Sequence, residues 1–289
     1  MTHGALTIFP LAGVRHGELG YTPLQHAVAA KTFTITERAE EQVGALQARN
    51  TRALPVLIIG GEELIGGKQN RIINSTTLVP TGVTVLPVSC VEHHRWGGAP
   101  QSAFAPQETL YPSLRAQIMQ HVAASLRATG AHHADQSHIW QSISARQGAE
   151  QVDSATAAMG DLYDHRRDDL ATYEAALPCP QGTVGMITAI GGRINELEIF
   201  DNPATMAALW GKFVRAAALD AIRAPVGAPV PVERAIHMVR RIHAASMETF
   251  PSPGIGHDVR FAGGGIVGAA LVCQGVIVHV ALFRQHTGA

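Results

Sequence analysis

Apolar residues in this chain repeat with two different periods, and the two periods occupy different stretches. Residues 1–98 have the spacing of strands. Leu6–Ala12 is apolar, 32–36 alternates Thr-Phe-Thr-Ile-Thr, and 54–59 is a continuous aliphatic run. The segments 71–79 and 83–91 flank Pro80-Thr81-Gly82, a turn sequence, and Pro55 and Pro87 place their strands at starts or edges. Only 23–30 suggests a helical turn or two. Composition then shifts over 97–112 to Gly, Pro, Gln, Ser and Ala, which reads as a linker or long loop. Beyond it, Leu114, Ile118, Val122 and Leu126 share one helical face, Ile139, Trp140 and Ile143 mark a second helix, and 159–177 holds one or two more. The chain returns to strands at Thr183–Ile190 and Arg193–Phe200, joined by Gly191-Gly192. Asn202-Pro203 caps a helix running to about 223, and another spans 231–244. Strands at 259–261, 266–272 and 276–283 close the chain. Grouped rather than alternating elements predict an α+β fold. Its parts would be an N-terminal antiparallel β sheet or sandwich (1–98), central helices, and a C-terminal α/β portion (113–289) ending in an antiparallel hairpin. The two parts are compatible with one compact unit.

Composition narrows the function classes. The 289 residues carry 22 Lys+Arg against 23 Asp+Glu, a net charge of −1, which argues against general nucleic-acid binding. Lysine occurs only at Lys31, Lys68 and Lys212. Cys90, Cys179 and Cys273 form neither a disulfide framework nor a zinc ribbon. With no basic, apolar leader at Met1-Thr2-His3-Gly4, a cytoplasmic location is expected. The apolar stretch 265–283 approaches membrane-spanning length, but Gln274-Gly275 divides it into a hairpin, so no membrane association is expected. Self-association into a homo-oligomer is compatible with the composition.

Two nucleotide-binding patterns fail on context. Gly263-Gly264-Gly265-Ile266-Val267-Gly268 fits G-x-G-x-x-G but opens a hairpin, not a helix. The loop around Gly67-Lys68 has Glu62 where a phosphate loop needs glycine, and Gln69 where it needs Ser or Thr. The stronger signal is a dense polar segment from Glu62 to Trp96. It holds Glu62, Glu63, Lys68, Gln69, Asn70, Arg71, Asn74, Ser75, Cys90, Glu92, His93, His94, Arg95 and Trp96 between aliphatic strands. Polar groups buried there without partners would cost about 1–3 kcal/mol each. Strand alternation separates Glu92 from Arg95 unless a bulge intervenes. Three readings compete. Glu62, Lys68, Arg71 and Glu92 form an internal ion-pair network. Alternatively, Lys68 and Arg71 grip an anion while Gln69 and Asn70 read polar edges and Trp96 stacks on a ring. In the third, Cys90, Glu92, His93 and His94 bind a metal, or Cys90 attacks a substrate. Elsewhere, His279 reads as a satisfied core histidine, His132-His133 as a solvated loop, and Arg166-Arg167-Asp168-Asp169 as a helix surface with local ion pairs.

The run Gly61-Glu62-Glu63-Leu64, Gly67-Lys68-Gln69-Asn70-Arg71, Asn74-Ser75, Pro87-Val88-Ser89-Cys90-Val91-Glu92 and Arg95-Trp96 resembles the domain family named for its association with ADP-ribosylglycohydrolases and a rhodanese–phosphatase superfamily. Asp258-Val259-Arg260-Phe261, Gly268-Ala269-Ala270-Leu271 and His279-Val280 are similar to the end of that family. His93-His94 departs from its pattern, which has a small or polar residue and then glycine before Arg95-Trp96. The resemblance implies a role near ADP-ribose or NAD-derived nucleotides and assigns no chemistry, cofactor or metal. The resulting expectation is binding or processing of a small anionic, nucleotide-like ligand. Glu62, Glu63, Lys68, Gln69, Asn70, Arg71, Glu92, Arg95 and Trp96 would form its site. Glu62, Glu63, Cys90 and Glu92 are the catalytic candidates, with Glu62 or Glu63 as general base or ribose-hydroxyl acceptor. The alternatives are a non-catalytic interaction or scaffold module and a metal-dependent hydrolase.

Overall fold

A computed structural model describes residues 1–38, 43–95 and 103–285. The first part contains β1 (Thr2–His3), β2 (Leu6–Ala12), β3 (Thr22–Pro23), α1 (Leu24–Ala29), β4 (Phe33–Glu37), β5 (Ala45–Asn50), β6 (Val56–Ile58), β7 (Glu62–Ile65), β8 (Arg71–Ile73), β9 (Thr77–Val79), β10 (Gly82–Cys90) and β11 (Ala105–Thr109). Four helices follow: α2 (Pro112–Thr129), α3 (Gln136–Glu150), α4 (Gly160–His165) and α5 (Arg167–Ala176). The chain closes with β12 (Thr183–Ile190), β13 (Arg193–Phe200), α6 (Pro203–Ala221), α7 (Val232–Arg240), a 3-10 turn (Arg241–Ala244), β14 (Ser246–Pro251), β15 (His257–Gly263), β16 (Ile266–Cys273) and β17 (Val276–Arg284). This is the α+β class, with a closing antiparallel hairpin.

The strands form three sheets, ordered β1-β2-β12-β13-β17-β16-β15-β14, β11-β7-β8-β10-β5-β4 and β3-β6-β9. All pairs are antiparallel except β3 with β6. Strand β2, with β1 beside it, pairs with β12, more than 170 residues on, so the two N-terminal strands join the large sheet rather than the N-terminal one. That sheet is covered on both faces, because neighbours on one strand serve different cores. Met186 packs with Leu6, Ile8, Phe200 and α6, whereas Ile187 packs with Leu197, Leu282 and the α7 residues Ala235 and Met238. The first of these cores also takes in Leu57, Ile72, Leu78 and Val91, so residues from both sides of 97–112 share it.

Local signals explain several elements. Gly191 and Gly192 take φ +57° and +79°, the left-handed pair that a two-residue hairpin turn requires. The Asn202 side chain accepts from Ala204 N at 3.0 Å and caps α6. Two expectations need correction. The segment 71–79 is not one strand: β8 and β9 belong to different sheets, and Asn74, Ser75 and Thr76 turn between them. The stretch 97–112 is not only loop, since β11 pairs with β7, its register shifting between Pro106 and Thr109. Pairing by an irregular strand that contains Pro106 leaves no alternation to read. Among the described residues no helix is long and apolar enough to cross a membrane.

Candidate functional site

The polar segment does not converge on one pocket; it divides among three places. The first is the connection 66–71. Here the chain leaves β10 at Cys90, so strand alternation no longer applies, and Arg95 folds back on Glu92. Arg95 Nε donates to Glu92 Oε1 at 2.8 Å, and Nη2 lies 2.7 Å from Oε2. The expected separation of Glu92 from Arg95 is therefore corrected. Arg95 also donates to Gly67 O (2.9 Å) and Asn70 Oδ1 (3.0 Å), and Glu92 accepts from Asn70 N. Against the burial that would raise it, Arg95, the Asn70 N–H and Thr156 hold the Glu92 carboxyl below its ordinary value. Gln69 Nε2 donates to His93 O, and Lys68 N to Glu37 Oε1. Arg71, 1% exposed, donates to Gln69 O at 2.9 Å and stands 3.8 Å from Glu37. Cys90 is buried, and burial raises its thiol, the opposite of what a nucleophile needs. His93 stacks on Trp140 at 4.2 Å. Trp96 lies outside the described residues. Among those described, no three His, Cys, Asp or Glu gather so as to hold a metal.

The second place is β7, whose consecutive glutamates point in opposite directions. Glu62 is buried and paired with Lys212 of α6; burial still raises its carboxyl. Glu63 is 0% exposed, and neither carboxyl oxygen has a hydrogen-bond partner among the described residues. Burial, reinforced by the charges of Glu108, Glu92, Asp161 and Asp164, pushes its carboxyl up to about 8. Glu63 lies at the floor of a cleft of ≈400 Å³ whose wall includes Asn70, Glu108, Asp161, Asp164, Arg167 and Arg215. Arg215 is held between Glu108 and Glu174 (3.0 and 2.7 Å), and Arg167 pairs with Asp164 at 2.6 Å.

The third place brings together residues from the whole chain. Thr76 Oγ1 lies 3.0 Å from His279 Nδ1, and His279 Nε2 lies 2.6 Å from Glu198 Oε2. Arg115 Nη1 donates to Glu198 (2.7 Å) and Glu196 (3.0 Å). Burial alone would raise both glutamates. Arg115 and His279 nevertheless hold Glu198 low, and burial beside the Glu198 charge drives Glu196 well up. Next to them, His132 Nε2 is 2.9 Å from Pro251 O. A carbonyl only accepts, so Nε2 carries the proton. Burial favours neutral His132, so Nδ1 accepts from Ser75 Oγ at 2.8 Å. Ser75 Oγ accepts from Arg260 Nη2 (2.6 Å), which also binds Asp258 at 2.5 Å. The expectation of a solvated His132 is thus corrected: its ring and carbonyl are both tied into the core. The hollow beside Ser75, Arg115 and Arg260 is ≈20 Å³, room for about one water. This group is a packed polar core rather than an open pocket.

Sequence reasoning missed Arg115, His132, Glu196, Glu198, Asp258 and Arg260 as partners. A signal existed for four of them. Glu196 and Glu198, like Asp258 and Arg260, sit two apart on strands, so each pair shares a face, here a buried one. No curated protein and no solved structure matches the chain. A family profile does, over residues 1–283, from β1 through the Glu63 cleft to β17. The two stretches with sequence resemblance, around 61–96 and 258–283, meet through Ser75–Arg260 and Thr76–His279. The chain belongs to the ARPP-1 family, the ARG and Rhodanese-Phosphatase-superfamily-associated Protein domain.

Proposed function

We propose that the protein binds or processes a small ribose-containing ligand of the ADP-ribose or NAD-derived kind in the cleft above Glu63. The observation that carries this reading is Glu63 itself, a wholly buried carboxyl lining a ≈400 Å³ cleft, with both oxygens unpartnered among the described residues. A cleft of that size suits a small molecule, and a strongly shifted, unpaired acid within one marks a candidate site. With its carboxyl raised to about 8, Glu63 is protonated at neutral pH and can donate a hydrogen bond or a proton. Glu108 and Asp161 are suited to accept sugar hydroxyls, while an attached phosphate would reach Arg167 and Arg215 only by exchanging with the carboxylates they already hold. The family's association with ADP-ribosylglycohydrolases points to the same ligand class. Free thiols at Cys90, Cys179 and Cys273 go with a cytoplasmic setting.

A thermal-shift series with ADP-ribose, NAD and mononucleotides tests the reading. At least one should raise the melting temperature of the wild type, and Glu63→Gln and Asp161→Asn should reduce the response while Lys68→Ala keeps it. Loss of the response in Lys68→Ala alone would move the site to the 66–71 connection, and no response to any compound would reject it. A second reading, a non-catalytic interaction module, draws on the Glu92–Arg95–Asn70 bonds that tie that connection together.

A further inference from the structure

Away from Glu63, one end of the large sheet concentrates positive charge that the near-neutral composition hides. On α7 and the turn after it, Arg234, His237 and Arg241 are spaced i, i+3 and i+7, so they form one stripe beside the buried Ala235 and Met238. Those two apolar residues pack on the sheet face to which Leu282 contributes. Arg284 follows Leu282 by two positions on β17 and projects from that same face. Arg193 opens the adjoining strand β13. All five basic residues line one cleft of ≈280 Å³, together with Ile194 and Met238 and with no carboxylate among the described residues. A neighbouring hollow of ≈320 Å³ shares Arg193 and Arg284. Its Asp220 is already engaged by Arg146 and Ser113.

Some of this charge has a structural use. Basic groups at the end of α7 complement its dipole, and Arg241 donates to Gly264 O at 3.1 Å. Arg193, Arg234 and Arg284 have no such use: they are exposed, and their side chains make no ion pair or hydrogen bond among the described residues. Like charges gathered from three elements repel one another unless an anion joins them.

We propose that this cleft binds a small molecule bearing a phosphate or diphosphate group. Guanidinium forks from both sheet and helix would each meet phosphate oxygens in bidentate fashion. Ile194 and Met238 offer an apolar floor for the organic part. The site shares no lining residue with the Glu63 cleft, so either can fail alone.

Calorimetric titration of the full chain with inorganic pyrophosphate, at about 50 mM and about 200 mM salt, tests it. Saturable binding is expected, weaker at the higher salt. Arg193→Glu and Arg284→Glu should each lower the affinity at least about tenfold, and Arg127→Ala, at an arginine that lines neither cleft, should leave it unchanged. Arg193 and Arg284 are exposed, so the variants should melt like the wild type, and the melting curve checks this. Absence of saturable binding overturns the proposal, as does unchanged affinity in both charge-reversed variants. Binding of single-stranded RNA that pyrophosphate cannot displace overturns it too, by making the surface a general polyanion face.

Discussion

Glu63 is where a single side chain has the clearest measurable consequence. Its carboxyl moves from an ordinary 4.5 to about 8 on folding, through burial first and the surrounding carboxylates second. Between those values the folded chain holds a proton that the unfolded chain has released. Its contribution to stability is thus fully present below pH 4.5 and is lost as pH rises through about 8. Each pH unit in that window costs up to about 1.4 kcal/mol. Chemical denaturation from pH 5 to pH 8 should show the wild type losing stability relative to Glu63→Gln; parallel profiles would show that Glu63 is not buried as a neutral acid. Arg115 presents the opposite case, a buried cation serving Glu196 and Glu198 at once. Arg115→Met should destabilise by about 3–5 kcal/mol, because it removes the cation that holds the Glu198 carboxylate in the core. A loss below about 1 kcal/mol by urea titration would mean that Glu198 finds a proton or water instead. Neither role could be read from sequence, since both depend on which distant charge lies opposite.

At the scale of elements, period and punctuation were legible wherever packing agreed with them. The Gly191-Gly192 turn, the Asn202 cap and the β16–β17 hairpin follow from local chemistry that needs no partner. The break at Asn74, Ser75 and Thr76 was not legible, because residues 71–79 stay apolar on either side while the chain changes sheets. A similar limit hid β14 and β11, which are held by pairing and not by alternation. Gly185 belongs here as well. A Cβ at this position would stand 2.3 Å from Glu198 O, so β12 can approach β13 only with glycine there. Gly185→Ala should cost about 1–3 kcal/mol in a denaturant titration. It should also loosen the strand that carries Glu198. An unchanged midpoint would show that the strands separate at little cost.

Across the whole molecule, β1 and β2 join a sheet otherwise built from residues 183–284, and one core spans both halves of the chain. We expect 1–98 and 113–289 to depend on each other. Residues 113–289 expressed alone would leave β12 without β2, an open edge prone to aggregation, and a core lacking Leu6 and Ile8. That fragment should be insoluble or lack cooperative melting, and a soluble fragment with a sharp transition would contradict the dependence. The sequence by itself determined the α+β class, the main helices, the closing hairpin and the segment richest in polar groups, because these rest on periodicity and turn chemistry between near neighbours. Tertiary structure alone decided that Glu92 meets Arg95, that Glu62 meets Lys212 while Glu63 meets no partner among the described residues, and that Ser75 and Thr76 join Arg260 and His279. The physical reason is range. Side-chain direction within an element is set locally, but the charge or hydroxyl it faces is supplied by a strand or helix up to about 200 residues away, and only the packed fold selects which one.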